Sequence, residues 1–149
     1  EGDCEIGDYC RLHGYAHVGR GSRIGHFVWL YSLTTLTNDP LPPSHLHAPV
    51  TIGDGAVLCV GVTLLPGVSI GPGAFVAASS TVARDVPPGA VASGNPAEIV
   101  SHVTLLRDLA HGIRHPWMNH FADAYPAEAR GRIDTLQRAI VESRKTFTL

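Results

Sequence analysis

Aliphatic residues recur every six positions along most of this chain. Ile6, Leu12, Val18, Ile24, Leu30 and Leu36 keep that spacing without a slip, and Ile52, Leu58, Leu64, Ile70, Val76 and Val82 keep it again. Four residues after each aliphatic stands a small or β-branched side chain: Cys10, Ala16, Ser22, Val28 and Thr34, then Ala56, Val62, Val68, Ala74, Ser80 and Val86. An α-helix cannot keep a six-residue period on one face, because its own period is 3.6. A fixed short repeat is the mark of a solenoid whose repeats stack on one another. Three hexads close one triangular turn of 18 residues, each hexad giving a short strand and a corner. Residues 18 apart then stack, and the aliphatics point to the axis and form the core. The expected fold class is an all-β solenoid, a parallel β-helix of hexapeptide repeats over residues 1–100.

The register breaks once. Leu36 and Ile52 are 16 residues apart, one hexad plus ten, and the inserted stretch holds Pro40, Pro42, Pro43 and Pro49. Proline cannot donate to a strand ladder, so residues 37–51 leave the coil as a loop. Solenoid insertions gather on one face, often the binding face, which makes 37–48 the first place to look for chemistry.

After Pro88 the repeat fades, and residues 101–149 have a different texture. Val103, Leu105, Leu106, Leu109 and Ile113 predict an amphipathic helix ending at His115-Pro116. A second helix is expected from about Ala127, with Ile133, Leu136 and Ile140 on one face. The aromatic stretch between them, 117–126, is expected to pack. The whole extension is expected to cap the open end of the coil, where an uncovered turn is a bare sheet edge.

A chain of 149 residues suits one domain with a real core. A net charge of −2 gives no electrostatic footprint for nucleic acid, and no apolar run reaches membrane-spanning length. The repeat begins at once, so a trimmed or abruptly starting N-terminus is expected, without signal-peptide character. Cys4, Cys10 and Cys59 fit neither a metal spacing nor a disulfide framework. Cys4 and Cys10 fall at small-residue positions and read as buried free thiols, which favours a reducing cytoplasm.

The segment 51–100, TIGDGAVLCVGVTLLPGVSIGPGAFVAASSTVARDVPPGAVASGNPAEIV, resembles the C-terminal half of the hexapeptide-repeat acyltransferases. It is most similar to the branch that acetylates sugars and nucleotide-linked amino sugars. TLTNDPLPPS is similar to the Thr-Asn-Asp stretch that opens the loop of the amino-sugar N-acetyltransferases. The resemblance covers residues 1–100 and implies a left-handed β-helix working as a homotrimer. It also implies acetyl-CoA in a groove between subunits and a sugar or nucleotide-sugar acceptor beneath the loop, with no metal. Val60, Gly61, Ala78, Ser79 and Ala83 match the family's pantetheine-lining positions. Arg84 matches a Lys that meets the CoA phosphates, a role a guanidinium fills well. Glu98 stands where the family ending carries a basic residue. That shifts the phosphate contact to Arg84 and to tail arginines such as Arg107.

Acetyl transfer requires the acceptor to lose a proton, the carbonyl oxygen to find a donor, and the thiolate to leave. His45 and His47 lie in the loop, where a base is useful. In the sugar O-acetyltransferases the residue before the loop proline is a catalytic His; here it is Asp39. In the amino-sugar branch the functional residue at the start of the loop is an Asn, which corresponds to Asn38. An amine sheds a proton more readily than an alcohol, its pKa being about 8. An orienting Asn38 therefore favours N-acylation, with O-acylation by a loop His as the alternative. His13, His17 and His26 read as surface or interface residues, and Trp29 and Tyr31 as interface contacts. Two other readings share the fold. One is a γ-type carbonic anhydrase, which needs three His at an interface, whereas residues 52–101 hold none. The other is a sugar-binding scaffold without CoA, suggested by Glu98.

Overall fold

The computed structural model describes residues 2–114 and 122–149. Twelve two-residue strands each end on one of the repeating aliphatics. They are β1 (Glu5–Ile6), β2 (Arg11–Leu12), β3 (His17–Val18), β4 (Arg23–Ile24), β5 (Trp29–Leu30) and β6 (Thr35–Leu36) before the insert. After it come β7 (Thr51–Ile52), β8 (Val57–Leu58), β9 (Thr63–Leu64), β10 (Ser69–Ile70), β11 (Phe75–Val76) and β12 (Thr81–Val82). They stack as three parallel walls. Wall A is β1-β4-β7-β10 and wall C is β3-β6-β9-β12. Wall B is β2-β5-β8-β11, continued by β13 (Ala90–Gly94) and closed by the antiparallel β14 (Ala97–His102). The result is a left-handed β-helix of about five turns with, among the described residues, one C-terminal α-helix.

The stacking carries straight across the insert. Ile24 pairs with Ile52, although they stand 28 residues apart rather than 18. The axis is closed: Leu30, Leu36, Leu58, Leu64 and Val76 are fully buried, and Ile24, Ile52, Ile70 and Val82 nearly so. In the first turn, Ile6 is 48% exposed and Leu12 43%, because no described turn lies beneath them. Cys4 and Cys10 belong to that end and are half-buried rather than buried. Their thiols donate to the carbonyls of Gly19 at 3.2 Å and Gly25 at 3.0 Å.

The outward positions differ sharply between walls. The register sets Glu5, Arg23, Thr51 and Ser69 on wall A, and His17, Thr35, Thr63 and Thr81 on wall C. On wall B it sets Arg11, Trp29, Val57, Phe75 and Val91. That apolar column needs a cover, and the chain's own tail provides it. Trp29, Val57 and Val91 pack with Val103, Leu136 and Ile140, and the Trp29 indole N–H donates to the Tyr125 hydroxyl at 2.9 Å. Trp29 therefore lies beneath the tail and is not available to a partner, because only an apolar cover balances that column.

The tail departs from expectation in two ways. The stretch predicted as its first helix is a 3₁₀ turn (Val103–Leu105) and a hairpin, β15 (Arg107–Asp108) with β16 (Ile113–Arg114). Turn chemistry outweighs the helical period there. The Asp108 carboxylate accepts from the His111 backbone N–H at 3.2 Å and lies 2.8 Å from its ring, and Gly112 takes a φ of 66°. Residues 115–121, which include most of the aromatic stretch, lie outside the described residues. The second helix, α1 (Arg130–Ser143), forms with Ile133 and Ile140 fully buried, as its pattern predicts. It does not cap the coil. It runs lengthwise along the corner between walls A and B: Arg132 meets Asp8, Ile133 packs with Phe27, Ile140 lies against Gly73, and Ser143 against Gly89. Phe147, beyond α1, reaches the axial core near His102, ring centroids 5.1 Å apart.

Candidate active site

The insert leaves the coil at the corner after wall C. Its first residue is tied to the wall, since Thr37 donates from its backbone N–H (3.1 Å) and its hydroxyl (2.8 Å) to the Leu64 carbonyl. Its ends are clipped together: the Ala48 N–H donates to the Asn38 carbonyl at 2.8 Å, and the Gly67 N–H to the Ala48 carbonyl at 2.8 Å. Inside the loop, the Ser44 hydroxyl donates to Asp39 at 2.9 Å. Prolines set the backbone and these few bonds hold it.

At the foot of the loop lies a cavity of about 430 Å³, lined by Thr35, Thr37, Asn38, Asp39, Leu65 and Pro66 together with His17, Pro40 and Pro42. Asn38 and Asp39 are half-buried. The Asn38 side chain rests on Gly19 of the turn below. A Cβ at Gly19 would stand 2.6 Å from the Leu36 carbonyl oxygen and 3.2 Å from the Asn38 Oδ1, so glycine is what lets the amide lie there. Asn38 and Asp39 thus both line the cavity. His45 and His47 are exposed and do not line the cavity. His17, read from sequence as a surface residue, does line it. The signal was present in the stacking: His17 pairs with Thr35, three residues before Asn38.

The residues matched to pantetheine separate onto the two edges of wall C. Val60 and Gly61 stack beneath Ala78 and Ser79 on the edge shared with wall B, where the Ser79 N–H donates to the Val60 carbonyl at 2.9 Å. Ala78 and Ser79 are exposed, and a side chain at Gly61 would approach the Ser79 hydroxyl. Ala83 and Arg84 follow β12 on the other edge. The pairing of Val82 with Leu64 sets them over Leu65 and Pro66, two of the residues that line the cavity. Thr63 and Thr81 lie between the two groups. Cys59, next to Val60, has its thiol pushed up to about 11 by burial, so it stays protonated and unreactive near neutral pH. Among the described residues, no three His, Cys, Asp or Glu side chains gather closely enough to hold a metal ion. Nor is any described helix long and apolar enough to cross a membrane.

No family model matches the chain. It is 38% identical over 114 residues to serine acetyltransferase 2 of Arabidopsis thaliana, which covers 74% of this chain and 32% of that one. Its fold matches a variant of perosamine N-acetyltransferase from Caulobacter crescentus, solved with CoA and GDP-perosamine. There the TM-score is 0.60 and the identity 32%, over 68% of this chain and 43% of the other. It also matches a hexapeptide-repeat acetyltransferase of Vibrio cholerae solved with acetyl-CoA, with TM-score 0.61 and 26% identity over 68% of this chain and 61% of the other. The chain spans between 27% and 45% of the length of the first curated relatives it matches. A six-residue register broken by one inserted loop, a left-handed coil, and these likenesses place the chain in the hexapeptide-repeat acetyltransferase family.

Proposed function

We propose that this chain transfers acetyl from acetyl-CoA to the amino group of a sugar, most plainly a nucleotide-linked amino sugar. One observation carries this reading: a cavity under the insert, lined by Asn38 and Asp39, sits at one edge of wall C, and the other edge of the same wall exposes the small residues Ala78 and Ser79. An extended chain of amides such as pantetheine needs such an edge, because small side chains let it approach the backbone closely. Val60, Gly61, Ala78, Ser79 and Ala83 would line the pantetheine and Arg84 would take a CoA phosphate. Asn38 would hold the thioester carbonyl or the amine, and the Asp39 carboxylate would help orient the loop through Ser44. The tail covers wall B, which leaves the polar walls A and C to face neighbouring copies. A homotrimer with acetyl-CoA between subunits fits that division, and the free thiols fit a cytoplasmic setting.

The test has two stages. Acetyl-CoA or CoA at millimolar concentration should raise the melting temperature; binding at 100 times Kd corresponds to about 2.7 kcal/mol. The protein is then screened with acetyl-CoA against amino-sugar nucleotides, simple sugars and serine. No thermal shift with CoA sinks the enzyme reading. Turnover of hydroxyl acceptors alone favours the second reading, O-acetylation, which draws support from the 38% identity to a serine acetyltransferase.

A further inference from the structure

The corner between walls B and C changes character with height. Its backbone stacks continuously: the Leu33 N–H donates to the Gly14 carbonyl at 3.4 Å, the Gly61 N–H to the Ser32 carbonyl at 3.0 Å, and the Ser79 N–H to the Val60 carbonyl at 2.9 Å. In the two lower turns the corner presents Tyr15 and Leu33, large and exposed. In the two turns above it presents Val60 with Gly61, then Ala78 with Ser79. At the top the Gly94 N–H donates to the Ser80 hydroxyl at 3.1 Å, which seats the turn between β13 and β14 on this corner, and the register sets Glu98 opposite Ser93. Glu98 is exposed, and among the described residues its carboxylate joins no ion pair. We propose that Glu98 selects against the ribose 3′-phosphate of the donor, so that the protein takes acetyl-dephospho-CoA at least as well as acetyl-CoA; this deepens the acetyltransferase reading above and rests on it.

Direction and length both lead to Glu98. Asn38, where that reading puts the thioester, follows β6 and so belongs to the second turn. A donor starting at that height runs upward along the coil, because Tyr15 and Leu33 stand on the corner at and below it and the small residues begin one turn higher. Stacked strands lie about 4.8 Å apart, so the climb from the second turn to the fifth is roughly 14 Å. The pantetheine arm is about as long as four extended residues, again roughly 14 Å. Its diphosphate therefore arrives between the fourth and fifth turns. Arg84, which follows β12 in the fourth turn, stands at that level with a guanidinium suited to it. The ribose and its 3′-phosphate extend past the diphosphate to the rung of β14, which carries Glu98. Arg107, read from sequence as a phosphate contact, lies on β15 and makes no ion pair with Glu98. A carboxylate and a phosphate about 6 Å apart at a protein surface repel enough to change affinity about 3- to 10-fold. Acetyl-CoA carries that phosphate and the dephospho form lacks it, whereas thioester, pantetheine and diphosphate are common to both.

The experiment is isothermal titration calorimetry of acetyl-CoA and acetyl-dephospho-CoA at low ionic strength. The unsubstituted protein should bind the two donors equally, or the dephospho form up to about tenfold tighter. Glu98→Gln should tighten acetyl-CoA about threefold and Glu98→Lys about tenfold, with acetyl-dephospho-CoA held within about twofold in both. Arg84→Gln should weaken both donors alike, since it meets the diphosphate they share. Because Glu98 is exposed, its two variants should melt with the unsubstituted protein, which shows that they fold. Tighter binding of acetyl-CoA than of the dephospho form by the unsubstituted protein overturns the role of Glu98. So does a Glu98→Lys protein in which both donors move together, or an Arg84→Gln protein that weakens acetyl-CoA alone, which would put the 3′-phosphate on Arg84. A protein that binds neither donor overturns the acetyltransferase reading instead, and the role of Glu98 falls with it.

Discussion

The turns before the insert and the turns after it solve the same corner in different ways. Eleven corners of the coil each hold one residue at positive φ. Before the insert that residue is Asp3, Tyr9, Tyr15, Gly21, Phe27 or Leu33; after it, Gly55, Gly61, Gly67, Gly73 or Ser79. A side chain in this conformation costs roughly 1–2 kcal/mol, and a bulky one is unusual there. On the corner between walls A and B the cost is offset. Phe27 stacks on Tyr9 at 5.3 Å, meets Tyr125 edge-on at 5.4 Å, and carries the Arg132 guanidinium 5.3 Å from its ring. Two turns up the same corner, Gly73 has the opposite role, since a Cβ there would collide with Ile140. The aromatic corner draws the tail in and the glycine corner makes room for it. On the corner between walls B and C, Tyr15 is 88% exposed and Leu33 57%, while Gly61 and Ser79 leave the bare edge assigned to pantetheine. The same backbone position thus recruits the tail on one corner and stays open on the other.

Substitutions can break that contrast. The largest effect is expected where the tail docks. Phe27→Ala should cost about 3–5 kcal/mol and Ile140→Ala about 2–5, read by chemical denaturation, whereas Val141→Ala, on the exposed face of α1, should stay within about 0.5. If Phe27→Ala is as mild as Val141→Ala, the aromatic corner does not hold the helix. Next comes the junction between the two halves. Asn38→Ala should lower kcat on the order of 10²-fold with little change in the KM for acetyl-CoA, the pattern of a group acting at the reacting centre. A rise in KM alone would make it a binding residue. Leu33→Gly should stabilise by roughly 0.5–1 kcal/mol, because relief of positive φ at an exposed corner outweighs the added chain entropy. Gly61→Leu on the same corner should do the reverse and weaken CoA binding in a thermal-shift titration.

The smallest effect concerns Cys59. Burial holds its thiol at about 11, above the usual thiol value near 8.5. Between those values the unfolded chain has released the proton and the folded chain has kept it, so stability should fall as pH rises from about 9 to 11. Melting curves of Cys59→Ala should show a shallower decline over that window. An identical slope in both proteins would mean that the thiol contributes nothing to it.

The coil was readable because each hexad states its own role. Ile6 through Val82 give the axis and Pro40 to Pro49 the one departure from it, and both are local signals. Asn38 and Asp39 were singled out by a resemblance in the same few residues, and they line the cavity. What escaped depends on pairs far apart in the chain. Nothing near Trp29 says that Tyr125, 96 residues on, will cover it. Nothing in the sequence around Gly73 says that Ile140 will lie against it. Leu105, Leu109 and Ile113 satisfied a helical period, yet Leu109 is 87% exposed in a turn set by Asp108 and Gly112. His17 falls between these cases. Stacking by 18 places it beneath Thr35, but its place at the cavity shows only once the loop that begins at 37 is seen to fold back over that column.

The two backbone bonds that clip Asn38 to Ala48 and Ala48 to Gly67 carry a further consequence. Because the insert joins the coil through that clasp, and Ile24 still meets Ile52 in register, residues 39–47 form a cassette whose content is uncoupled from the folding of the scaffold. On the reading proposed above, acceptor preference diversifies by exchanging the cassette while the small-residue edge of wall C, proposed to take acetyl-CoA, stays constant. That makes this loop the natural unit to transplant when redirecting the protein to a new acceptor.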